Sequence, residues 1–163
     1  MPAGYYTIDA MRLEKGYRAF ARELVPDATP IEAGLGFTCK LAGGVDFLGR
    51  AAVERVKADG APRRVVSIVA GDPAAYLWGG ELLLRDGEPV GQVTSAGWGH
   101  ALGRSVGLAW ASDRATGRVT PDWLRAGRYE VDLAGQLVTV SVSLRPPFDP
   151  EGVKLGRGSI PSP

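Results

Sequence analysis

The sequence is poorest in the residues from which metal sites and nucleophilic centres are built. Its 163 residues include one cysteine, Cys39, and one histidine, His100. A single thiol excludes a disulfide within the chain. One thiol and one imidazole cannot supply the clustered soft ligands of a zinc or transition-metal site, so no metal is expected. A Ser-His-Asp triad would have to use His100, which lies in Gly97-Trp98-Gly99-His100-Ala101-Leu102-Gly103. That run reads as a glycine-rich turn, a matter of backbone geometry.

An excess of charge of either sign is also missing. Nineteen lysines and arginines balance eighteen acids, which leaves no electrostatic footprint for nucleic acid or an anionic membrane. No apolar run approaches the roughly 18 residues of a membrane span. The first nine residues lack the charged-then-apolar order of a signal peptide. A soluble protein of a reducing, cytoplasmic compartment is expected. Phosphate cradles are absent as well. Cys39 and Leu102 stand where Gly34-Leu35-Gly36 and Gly97-Trp98-Gly99 would each need a third glycine. There is no P-loop, HExxH or nucleophile elbow either.

What is present falls into two regimes. Up to about Gly60 the pattern is mixed. Ile8, Met11 and Leu13 predict a helix over Thr7 to Glu14 that Gly16 ends, with Thr7 or Asp9 as its cap. Tyr17, Phe20, Ala21 and Leu24 recur at helical spacing and suggest a further turn before Pro26. Thr29-Pro30 opens a brief helix, Leu35 to Leu41 reads as a strand, and Gly49 to Ala58 as an amphipathic helix.

From Arg63 the period changes to that of strands. Candidates are Arg63 to Ala70, Glu81 to Arg85, Pro89 to Ala96, Ser105 to Ala111, Arg128 to Leu133 and Gln136 to Leu144. Asp86-Gly87 and Ala134-Gly135 are placed as hairpin turns. Six short strands favour closure, which protects sheet edges. The fold class expected is α+β: an incomplete α+β segment, residues 1–60, then an antiparallel β-barrel of about six strands, residues 61–148. A Pro/Gly-rich tail, residues 149–163, is expected at the surface or disordered.

Few residues stand out chemically. Glu14 is either a solvated helical acid near Arg12, Lys15 and Arg18 or a buried acceptor for a ligand with paired N–H donors. Glu32, third in a short helix after Thr29-Pro30, reads as a reciprocal cap. Arg50 either anchors a helix start or meets a ligand. Tyr5 and Tyr6 either pack in the core or reach a ligand ring. Trp110 on an alternating strand reads as buried, whereas Trp98 is open to lining a cleft or an interface.

Three ordered segments carry a resemblance: Arg12-Leu13-Glu14-Lys15-Gly16, then Thr29-Pro30-Ile31-Glu32-Ala33-Gly34-Leu35-Gly36-Phe37, then Asp46-Phe47-Leu48-Gly49-Arg50. With Gly91-Gln92-Val93-Thr94-Ser95 and Leu102-Gly103-Arg104-Ser105-Val106, they resemble the C-terminal part of the glycine cleavage T-protein (aminomethyltransferase) family. The lysine in the first segment is similar to the branch of sarcosine and dimethylglycine dehydrogenases and dimethylglycine oxidase. The resemblance implies a C-terminal β-barrel and a tetrahydrofolate-binding region that helps transfer a one-carbon unit. It implies Glu14 as the pterin contact, with Tyr6 and Arg50 as further folate-binding candidates. The basic residue that precedes Asp-Phe in such proteins is here Val45, for which Arg50, Lys40 or Arg63 are candidate substitutes.

The family's catalytic aspartate belongs to an N-terminal half that this sequence does not contain, so no catalytic residue is assigned. Whether the chain alone is an enzyme stays open. That missing half, or a flavin-containing domain or subunit that alone would hold FAD, is the partner the resemblance implies. The competing expectation is a non-catalytic barrel, a scaffold or protein-interaction module that no longer binds folate.

Overall fold

The computed structural model describes residues 4–156. Helix α1, Tyr5–Glu14, starts two residues before the expected point. Gly4 is its cap residue, and no side chain caps it. It ends as the sequence predicts. Gly16 takes the left-handed conformation (φ 66°), its amide donates to Leu13 and that of Tyr17 donates to Arg12. This is the paired closure that a glycine past a helix end permits.

The next stretch departs from expectation. Residues 17–24 form no helix: Ala21 sits at φ 63°, Phe20 is exposed, and an isolated bridge pairs Phe20 with Leu24. The cause is Glu23, which is drawn inward and breaks the helical spacing of its neighbours. Thr29 and Glu32 form the expected reciprocal cap, with the Glu32 amide donating to Thr29 Oγ1 (3.3 Å) and the Thr29 amide to Glu32 Oε2 (2.8 Å). Leu35 to Leu41 is not a strand. It holds a 3-10 turn, Gly36–Thr38, and pairs with no strand among the described residues. Helix α2 spans Arg50–Asp59 between two glycines of positive φ, Gly49 and Gly60.

The six expected strands are all present: β1 Arg63–Ala70, β2 Leu82–Arg85, β3 Glu88–Gly99, β4 Arg104–Ser112, β5 Tyr129–Leu133 and β6 Gln136–Ser143. They close in the order β1-β4-β3-β2-β5-β6, every neighbouring pair antiparallel. Both two-residue hairpin turns carry positive φ at both positions, 53° and 86° at Asp86-Gly87, 53° and 89° at Ala134-Gly135. Such turns match the twist of the strands they join. A short helix, α3 Pro121–Ala126, precedes β5. Thr120 caps it by accepting from the Trp123 amide.

Alternation along β1 shows why closure follows. Val66, Ile68 and Ala70 face the barrel interior with Leu83, Val93, Ala109, Val131 and Val140. Val65 faces outward, where it meets Leu13 of α1, Val106 and Leu108 in a second cluster. The helix therefore lies on the outer wall of the barrel. The tail is not simply free at the surface: the Phe148 amide donates to the Glu14 carbonyl, Lys15 Nζ donates to the Asp149 carbonyl, and α4 spans Val153–Gly156. The rest of the tail, 157–163, lies outside the described residues.

Strand crossing is tightest at Gly91, where an added β-carbon would stand 1.7 Å from the Trp110 carbonyl oxygen. Gly91→Ala is expected to lower unfolding free energy by about 3 kcal/mol or more in urea titration. A loss below about 0.5 kcal/mol would show that β3 and β4 are not this close.

Candidate functional site

The α1 side of the barrel holds a cleft of about 420 Å³ between the helix and β3. The helix contributes Tyr6, Thr7, Asp9, Ala10 and Leu13, and the strand contributes Ser95 to Trp98. Tyr76, Trp78, Arg22 and His100 complete the wall. Tyr76 and Trp78 form a tilted pair with ring centroids 4.8 Å apart. Tyr5 and Tyr6 do not pack in the core: Tyr6 is 89% exposed on the outward side of α1 and overhangs the cleft. Trp78 is exposed too, and Trp110 is half-buried beneath the Arg63 guanidinium rather than enclosed.

Glu14 is not a solvated helical acid. It is 7% exposed, and its Oε1 accepts from the amides of Ala101 (2.7 Å) and Leu102 (3.3 Å) in the β3–β4 turn. Gly99 leaves room for it, since a β-carbon there would stand 3.0 Å from Oε1. Oε2 accepts no hydrogen bond among the described residues. The carboxylate is not among the groups lining the cleft, although its chain neighbour Leu13 and His100 of the turn it holds both are. One oxygen thus holds the turn and the other remains an acceptor without a partner.

Arg50 is engaged elsewhere. Its Nε donates to Glu54 (2.8 Å), Nη1 to the Val45 carbonyl (2.7 Å) and Nη2 to the Leu41 carbonyl (2.9 Å). These bonds tie the 41–45 loop to the start of α2. Of the two roles read from the sequence, the helix anchor is the one these bonds display. Arg63, an expected substitute for the cation missing at Val45, is likewise paired with Asp27 and Glu32.

The residue that sequence reasoning missed is Glu23, which has 0% exposure. Its Oε1 accepts from Thr94 Oγ1 (2.5 Å) and Ser95 Oγ (2.6 Å). Its Oε2 accepts from the Ala19 amide (2.9 Å) and from Arg12 Nη1 (3.4 Å). Consecutive strand residues normally point to opposite faces. Here the β3–β4 register shifts between Val93 and Ser95, leaving Thr94 as an extra residue, so both hydroxyls reach one oxygen. The Thr-Ser pair of β3 was the available signal, since two adjacent hydroxyls on a strand need an acceptor if both are buried.

Charge spreads outward from this carboxylate. Arg12 Nε also pairs with Asp9 Oδ1 at 2.5 Å, so the acid on the cleft wall is neutralised. Burial lowers the Arg18 guanidinium from its ordinary range, an effect opposed by attraction to Glu23 and reinforced by Arg64. Glu23 therefore serves as the buried counter-ion of the N-terminal segment. Glu23→Ala should cost about 3–5 kcal/mol in denaturant titration, because Arg12 and the hydroxyls lose their acceptor. A double-mutant cycle with Ser95→Ala should give coupling above about 1 kcal/mol. A single-variant cost under about 1 kcal/mol would contradict the clamp.

Comparison with known proteins gives this geometry a family. Residues 63–149 match the glycine cleavage T-protein C-terminal barrel domain, and residues 1–43 match the GCVT N-terminal domain. The chain is similar to mitochondrial sarcosine dehydrogenase of Mus musculus, 37% identical over 153 residues that cover 94% of this chain and 16% of that protein. It is similar also to the mitochondrial pyruvate dehydrogenase phosphatase regulatory subunit of Mus musculus, 31% identical over 88% of this chain and 17% of that protein. The glycine cleavage system aminomethyltransferase T from Bartonella henselae shares the fold, with a TM-score of 0.70 and 23% identity over 87% of this chain and 38% of that one. The chain spans only 16–18% of the length of the first curated relatives it matches. With its closed six-stranded barrel and the match over 63–149, the chain belongs to the glycine cleavage T-protein C-terminal barrel family, on the side related to sarcosine and dimethylglycine dehydrogenases.

Proposed function

We propose that this chain is the tetrahydrofolate-binding region of an aminomethyltransferase or an N-methyl amine oxidoreductase of the sarcosine or dimethylglycine type. In this reading residues 1–60 are the C-terminal part of a folate-binding α+β domain. Residues 61–148 are the barrel and 149–163 the tail. The observation that carries it is Glu14, a buried carboxylate with one oxygen fixed by two amides and the other uncommitted, next to an aromatic cleft.

Reduced folate, when bound, accepts the one-carbon unit. A pterin edge offers adjacent N–H donors, and a carboxylate is their natural acceptor. A charge-assisted bond of this kind is worth about 1.5–3 kcal/mol. The donor set fits, with one restriction. Oε1 already serves the β3–β4 turn, so Glu14 offers Oε2 freely and Oε1 only by sharing. Tyr6, at the cleft mouth, supplies a flat face or a hydroxyl. Arg50, the remaining candidate, has its Nε, its Nη1 and one Nη2 hydrogen engaged and would meet a folate carboxylate only through the other Nη2 hydrogen. The chain contributes binding and orientation, which accelerate a transfer only once the reacting partner is held alongside.

The remainder of the site comes from a further polypeptide segment, the rest of the N-terminal domain or a flavin-bearing unit. The relatives in which such regions occur are much longer than this chain. A cytoplasmic location accompanies the reading, although the mammalian relatives are named as mitochondrial. No described helix is long and apolar enough to cross a membrane.

A second reading has one observation of its own. One relative is named a regulatory subunit, and Glu14 already has a structural task in holding a turn. In that reading the barrel is a scaffold without folate. Calorimetric titration of tetrahydrofolate separates the two. Folate binding predicts saturation, with Glu14→Gln weakening affinity by about tenfold or more while leaving the melting temperature within a few degrees. Equal affinity of the wild type and Glu14→Gln would refute the role of Glu14. No uptake, alone or mixed with the remaining N-terminal domain, would favour the scaffold.

A further inference from the structure

Resting on the folate reading, we propose that the tail crossing the end of α1 is a latch for the pterin-binding carboxylate, and that Lys15, which closes it on Asp149, is a positioning residue for Glu14.

The last carbonyls of a helix have no partner within it and must find one outside. At the end of α1, those of Arg12 and Leu13 accept from the amides of Tyr17 and Gly16 in the closure past the helix. The carbonyl of Glu14 is served by the tail instead, through the Phe148 amide at 3.0 Å. Glu14 is thus held at two points, its backbone by the tail and its Oε1 by the β3–β4 turn. The direction of Oε2 is set between them.

Lys15 closes the crossing. Its Nζ donates to the Asp149 carbonyl (2.9 Å) and to Asp149 Oδ2 (3.4 Å), 134 residues along the chain. The two side chains are only 17% and 5% exposed, which sets the pair apart from the open surface pairs that contribute little. Asp149 is itself built into the tail. Its carboxylate accepts from the Lys154 amide (3.2 Å) at the start of α4, and its carbonyl from the Gly152 amide (3.0 Å). Lys154 Nζ stands 4.7 Å from the centre of the Phe148 ring. On the other side Pro146 lies against Gly16, where an added β-carbon would stand 3.4 Å from it. The tail therefore meets α1 as a folded unit. The pairing has a second effect: Lys15 is the cation nearest to Glu14 in sequence, and its ammonium is committed to Asp149. Glu14 has no ion pair among the described residues, so no such cation competes with a pterin for Oε2.

The test is calorimetric titration of this chain with tetrahydrofolate, in the wild type, Lys15→Met, Lys15→Arg, Glu14→Gln and the Lys15→Met/Glu14→Gln double variant. Lys15→Met frees the end of α1 and should weaken affinity roughly three- to tenfold, the entropy of one side chain left to be ordered on binding. Lys15→Arg keeps the charge and the donors and should recover most of that loss. In the Glu14→Gln background, Lys15→Met should change affinity by less than about twofold, because the latch acts only through that carboxylate. Hydrogen exchange without ligand should quicken at the Phe148 and Ala101 amides in Lys15→Met while the β1–β4 ladder keeps its protection. Lys15→Met matching the wild type in affinity, or weakening it equally in both backgrounds, overturns the latch. If Glu14→Gln still weakens binding in that case, the pterin reading stands. Failure of the wild type to take up tetrahydrofolate, alone or mixed with the remaining N-terminal domain, overturns both.

Discussion

The structure depends on one buried carboxylate. Glu23 lies in a segment with no regular structure, and the barrel would close without it. It nevertheless draws two strand hydroxyls, a loop amide and a helix guanidinium to one point. An acid stripped of water is tolerated only when its lone pairs are occupied. The extra residue in β3 supplies the second hydroxyl. Three parts of the cleft wall are tied to this arrangement: Ser95 directly, Asp9 through Arg12, and Arg22 as the preceding residue of the chain. The way the N-terminal segment sits on the barrel is thus an electrostatic matter as much as an apolar one.

Glu14 shows the same economy on a smaller scale. Its charge completes the turn between β3 and β4, taking the Ala101 amide and sharing that of Leu102 with the Gly99 carbonyl, and only its second oxygen accepts nothing among the described residues. The group proposed for binding thus has a folding task as well. Rigidity follows, because the closure past the helix accepts at Leu13 and Arg12 while the Phe148 amide is bound to the Glu14 carbonyl and Lys15 to the Asp149 carbonyl. A carboxylate so constrained loses little rotamer freedom when it meets a partner.

Much of this was readable in the residues, for identifiable reasons. The strands were legible because a barrel with a dry interior imposes strict alternation, and Asp86-Gly87 and Ala134-Gly135 announce turns that few other residues allow. Glu32 was legible as a cap because its partners lie three residues away. Glu23 was not, because its partners lie 71 and 72 residues away. The stretch 17–24 misled for the same reason, its apolar spacing being overruled by a distant pair of hydroxyls. Leu35 to Leu41 misled because strand propensity is expressed only where a neighbour can pair. The helix at Pro121 was signalled by Thr120-Pro121, a pair of the kind that also marks residue 29, and was not anticipated. The anchoring of the 41–45 loop by Arg50 was half legible, since carbonyls that accept from it leave no mark in the sequence.

The left-handed backbone at Ala21 has one more consequence. An alanine at φ 63° holds a conformation that costs a non-glycine residue about 1–2 kcal/mol. It is kept there by the short loop that returns the Ala21 amide to the Leu24 carbonyl and by the inward pull of the acid two residues on. The segment is therefore spring-loaded. If the acid were to leave its hydroxyls, the backbone would relax outward as a unit, carrying the adjacent guanidinium away from the groove while the barrel stayed folded. Hydrogen exchange would register such an opening at Ala19, Ala21 and Leu24, well below the free energy of global unfolding.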